Sequence, residues 1–72
     1  SGNSENILRA LAKANEKGAT TIALLGKTGG KAKSLAKIPL VIESNETARI
    51  QEAHITIVHI LCEHLEDTLF PA

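Results

Sequence analysis

Between Glu5 and about Lys17 the apolar positions Ile7, Leu8, Leu11 and Ala12 recur at helical spacing, with Arg9, Lys13, Glu16 and Lys17 on the other side. The pattern predicts an amphipathic helix that Gly18 closes. Thr20 to Leu25 (TTIALL) is short, β-branched at its start and bounded by glycines, which predicts a buried strand of a parallel sheet. Gly26 to Gly30 is then a loop. From Lys31 to about Lys37 there is room for roughly two helical turns before Ile38-Pro39, and Pro39 opens a second strand, Leu40-Val41-Ile42. Ser44 and Asn45 mark the turn out.

One long helix is predicted from about Thr47 to Leu69. At roughly 100° per residue, Ile50, Ala53, Ile57, Val58, Leu61, Cys62 and Leu65 form a wide apolar side, with Glu52, Thr56, His59, Glu63, Glu66 and Asp67 opposite. So broad an arc exceeds what one sheet face covers, and it predicts packing on a sheet and on a neighbouring helix, including one from another subunit. Helix, strand, short helix, strand, long helix is the order of the tail of a parallel α/β sandwich. Two strands alone make a poor sheet. With Ser1 in first place and the strand expected before the first helix ending just ahead of it, residues 1–72 are expected to be the C-terminal part of one longer domain.

Composition narrows the function classes. Eight basic residues balance eight acidic ones and Phe70 is the only aromatic, so neither a charge pull toward nucleic acid nor stacking platforms for bases are present. The apolar runs are far too short to span a bilayer. Cys62, the single cysteine, cannot form an internal bridge, and an unpaired thiol favours a reducing compartment, so a cytoplasmic protein is expected.

Ser1-Gly2-Asn3-Ser4 directly precedes a helix, where backbone N–H groups and hydroxyls can point at an anion; Ser4 or Asn3 can equally serve only to cap that helix. Gly26-Lys27-Thr28 is not a nucleotide-binding phosphate loop, because that motif needs glycine where Thr21 stands. The glycines instead let the chain turn at the carboxyl end of a strand, the edge where α/β proteins bind ligands. Lys27, Lys31, Lys33 and Lys37 form a basic run that either attracts a phosphate or is simply solvated. His54, His59 and His64 do not share a helical face, so they make no common metal site. His54 falls in the apolar arc as a hydrogen-bonded packing residue. His59 lies on the polar face with Glu52, Thr56 and Glu63 in reach, either as an exposed pair or as an imidazole oriented for proton transfer.

SGNS at the head of a helix, GKTGGK after a strand and ARIQEAHITIVHI opening the last helix together resemble the SIS (sugar isomerase) family, and within it the phosphoheptose isomerases. The resemblance runs over essentially the whole chain. It implies a flavodoxin-like three-layer α/β sandwich and an aldose–ketose isomerisation of sedoheptulose 7-phosphate to D-glycero-D-manno-heptose 7-phosphate, a precursor for lipopolysaccharide. It further implies phosphate contacts from Ser1 and Ser4, a substrate and metal contact from Gln51, and a catalytic, zinc-binding role for His59, in a homotetramer with sites between subunits. On a regular helix Gln51 and His59 stand about 12 Å apart, so either Gln51 lies outside the helix or the two act from different subunits. The family's catalytic glutamate and another histidine have no counterpart in these residues, so the chain alone is expected to be inactive. A non-catalytic SIS regulator of the DnaA initiator-associating type is the alternative, sharing ARIQE and the ending TLFP.

Overall fold

The computed structural model describes residues 2–71. Five elements follow in order: α1 (Glu5–Glu16), β1 (Ile22–Gly26), α2 (Ala32–Leu35), β2 (Ile38–Ile42) and α3 (Thr47–Leu69). The strands pair in parallel, Ile22 opposite Ile38 through Gly26 opposite Ile42, and α2 provides the crossover between them.

α3 has the predicted bounds, and Gly18 follows α1 in the left-handed conformation expected of a helix stop (φ 83°). Four boundaries differ, one of them the end of β1, which takes in Gly26 where the loop was expected. β1 begins at Ile22 rather than Thr20, because Thr21 is committed to a side-chain network. Its hydroxyl donates to Asn15 Oδ1 (2.8 Å) and accepts from the Lys37 N–H (2.9 Å), while Asn15 Nδ2 donates to the Leu35 carbonyl (2.8 Å). The short helix is one turn instead of two, since Ala36 has already turned to an extended conformation (ψ 142°). β2 then starts at Ile38, so Pro39 sits inside the strand, opposite Ala23. Proline is tolerated there because β2 has a neighbour on one side only among the described residues.

Side-chain alternation along β1 divides the packing. Ala23 and Leu25 point to α1 and α2, where they join Ala32 and Ala36 in a small buried cluster covered by Leu8, Leu11 and Val41. The open side of Gly26 faces Ile50 of α3. Along α3 the half-buried positions are Ile50, Ala53, His54 and Ile57, which are spaced to place the first half of the helix on the sheet. Beyond Ile57 the wide apolar arc has no cover among the described residues: Val58, Leu61 and Leu65 are 42%, 40% and 55% exposed. The whole chain exposes 5391 Å², against roughly 4,300 Å² for a compact monomer of its mass. That excess includes the uncovered half of α3, for which the sequence pattern predicts a neighbouring helix.

Candidate functional site

Two loops meet at the carboxyl end of β1. The opening segment lies across the GKTGGK loop: the Gly2 carbonyl accepts from the Ala32 N–H (2.9 Å) and Asn3 Oδ1 accepts from the Lys31 N–H (3.0 Å). Gly2 has φ 82°, and a Cβ there would collide with the carbonyl of Gly29. The two segments can be this close only because residue 2 has no side chain.

Ser4 is the N-cap position of α1, and its carbonyl accepts the first helical N–H groups from Ile7 and Leu8 (3.1 and 3.0 Å). Its hydroxyl makes no capping bond, and the Asn3 side chain is occupied by Lys31. Capping therefore does not account for either side chain. Ser4 instead borders a cleft of about 390 Å³, together with Gly2, Lys27, Gln51, His54 and Thr47.

α3 crosses this cleft with its first turns. Gln51 lies inside the regular helix and lines the cleft, so the structure brings Ser4 and Gln51 to one place. Ser1 lies outside the described residues. His54 packs as predicted, with Nε2 2.9 Å from the Leu25 carbonyl. A carbonyl can only accept, so Nε2 carries the hydrogen. Replacing His54 by Leu leaves that carbonyl without its α3 partner and is expected to lower stability by about 1–3 kcal/mol, read as a drop in the urea midpoint; an unchanged midpoint would show that the bond contributes nothing.

His59 is elsewhere. Five residues beyond His54 it is turned about 140° around the helix, exposed, and away from the cleft. The expected help from Glu52 is also missing: that carboxylate pairs with Arg49 (2.7 Å), and Thr56 Oγ1 donates to the Glu52 carbonyl (3.0 Å). Since Gln51 belongs to the same straight helix as His59, the separation of about 12 Å stands, and one chain's pair does not fit a single zinc ion with bonds of about 2 Å. Among the described residues no group of three His, Cys, Asp or Glu side chains is placed to hold a metal. The sequence did not single out Lys27 or His54 for the cleft; the glycine-bounded end of β1 was the available signal for Lys27, and nothing in helical phase separates a packing histidine from one that also borders a pocket.

No family model matches the chain and no solved structure is significantly similar to it. Named relatives are close. Over 70 residues the chain is 60% identical to the phosphoheptose isomerase of Citrifermentans bemidjiense, an alignment that takes in 97% of the chain and 36% of that protein. Over that span the chain is similar to a segment of the phosphoheptose isomerases. The phosphoheptose isomerases of Aquifex aeolicus and Clostridium acetobutylicum are each 54% identical to it, over 93% and 97% of the chain and 35% and 36% of their own lengths. The chain thus spans little more than a third of the phosphoheptose isomerases it matches. These names do not favour the regulatory alternative.

Proposed function

We propose that these residues work within a phosphosugar isomerase that interconverts sedoheptulose 7-phosphate and D-glycero-D-manno-heptose 7-phosphate. The observation that carries this reading is the convergence of Ser4 and Gln51 on one cleft at the carboxyl end of β1, in a chain 60% identical to a phosphoheptose isomerase. Ser4, with Ser1, serves the phosphate beside the N-terminus of α1, and Gln51 meets the sugar's oxygens from α3. The surrounding fold is a three-layer SIS sandwich, and the exposed half of α3 packs within a cytoplasmic homotetramer.

In the ketose-to-aldose direction a base removes a proton from carbon 1 while the carbonyl oxygen on carbon 2 takes one up. The cis-enediol so formed collapses by returning a proton to carbon 2 as the hydroxyl on carbon 1 loses its own. His59 is the acid/base of this reading. Because it faces away from its own chain's cleft, it acts on the cleft of another subunit. Zinc is retained only for such an assembly, since Gln51 and His59 of one chain cannot share it.

The test is turnover of sedoheptulose 7-phosphate by the full protein that carries this segment, with the 72-residue chain assayed beside it. Turnover by the former and none by the latter is expected. A folded full protein that leaves the substrate untouched would sink the isomerase reading, and activity in the short chain would sink the claim that it needs the remainder.

A further inference from the structure

Resting on the isomerase reading, we infer that Lys27 supplies the positive charge that pairs with the substrate's phosphate and so sets the preference for phosphorylated over unphosphorylated sugars. The four lysines of the basic run are not equivalent in the fold. Lys37 Nζ donates to the Ala19 carbonyl (2.9 Å), at the opposite end of β1. Lys31 borders neither cleft, and Lys33 borders only a second, outer cleft of about 400 Å³ with Thr28, Glu43 and Ser44. Lys27 borders both clefts, and it is the one lysine or arginine among the described residues that lines the cleft holding Ser4 and Gln51.

Its backbone supports an assigned role. Lys27 is the one non-glycine described residue with positive φ (57°), in a conformation that costs an L-residue about 1–2 kcal/mol and that Gly or Asn adopts more cheaply. The loop holds it there: the Lys27 N–H donates to the Ser44 carbonyl (3.2 Å) and the next turn closes from the Gly29 N–H to the Gly26 carbonyl (2.9 Å). Electrostatics says what the site lacks. No carboxylate lies within salt-bridge distance of the ammonium among the described residues, and the cleft's other wall is the N-terminus of α1, itself partially positive. Lys27 and the N-terminus of α1 are two positive groups bordering one cleft, and an anion there is attracted by each. A phosphate dianion satisfies both.

The substitutions separate charge from backbone. Lys27→Asn and Lys27→Gly remove the ammonium while suiting the left-handed conformation; Lys27→Arg keeps the charge and the strain; Lys33→Gln changes the outer cleft alone. In the full protein, KM for sedoheptulose 7-phosphate and the Kd of inorganic phosphate by titration calorimetry are expected to rise about tenfold or more in Lys27→Asn. Changes in kcat should stay within about threefold, and the thermal midpoint should hold or increase. Lys27→Arg and Lys33→Gln should leave both constants within about threefold of the parent. Unchanged phosphate affinity in Lys27→Asn overturns the inference, as does a loss confined to Lys33→Gln, which would put the anion in the outer cleft. If the parent binds phosphate through Lys27 but does not turn over the heptulose, the anion site at Lys27 stands while the isomerase reading, and with it the sugar preference, falls.

Discussion

Replacing His59 by Asn is expected to lower kcat for sedoheptulose 7-phosphate by roughly 10²–10⁴-fold, with a change in stability within about 0.5 kcal/mol. The two halves of this expectation come from different observations. His59 is exposed, makes no hydrogen bond among the described residues and lies on the side of α3 turned from its own sheet, so the fold has nothing to lose with it. A solvated histidine without partners should be silent in an assay, and a large loss of turnover is explicable only if the imidazole reaches a reacting carbon in another copy's cleft. The thermal midpoint should stay put. Mixed oligomers sharpen the claim. Neither His59→Asn nor Gln51→Ala should be active alone, yet co-assembled they should regain part of the turnover, because some clefts then receive both native side chains. No recovery on mixing, with assembly verified, would mean that both residues serve one chain's site.

The geometry behind that expectation was partly legible in the sequence. A heptad-scale pattern fixes helical phase well, so the bounds of α3, the sheet-facing positions Ile50, Ala53 and Ile57, and the packing of His54 all followed from periodicity. Phase also showed that Gln51 and His59 could not meet, provided the helix was regular across both; α3 is regular there. What periodicity does not carry is long-range side-chain bonding. Thr21 looks like the second residue of a β-branched strand, but its hydroxyl ties Asn15 of α1 to the Lys37 amide, and the strand starts one residue later. The same limit hid Asn3, whose residue type suggested a helix cap and whose side-chain Oδ1 instead accepts from the Lys31 N–H twenty-eight positions away. Lys27 was lost among four lysines because charge was visible and backbone conformation was not.

The other large effect is expected at Gly2, and Gly18 supplies its control. Both glycines occupy the left-handed region at nearly the same angle, φ 82° and 83°, so an alanine at either bears the same backbone cost of about 1–2 kcal/mol. Their surroundings differ. At Gly18 a Cβ meets nothing within 4 Å, whereas at Gly2 it runs into the Gly29 carbonyl, a backbone atom held by the turn that presents Lys27. Gly18→Ala should therefore lower stability by no more than the backbone term and leave phosphate affinity alone. Gly2→Ala should push the opening segment off the GKTGGK loop, break the bonds from Ala32 to Gly2 and from Lys31 to Asn3, and displace Ser4 from the cleft. Losing two hydrogen bonds and the alignment of Ser4 with Lys27 predicts about a hundredfold weaker inorganic phosphate binding, measured by calorimetry on protein whose circular dichroism is unchanged. Equal phosphate affinities in the two variants would mean that the clamp between the opening segment and the loop does not build the anion site, whatever it does for stability.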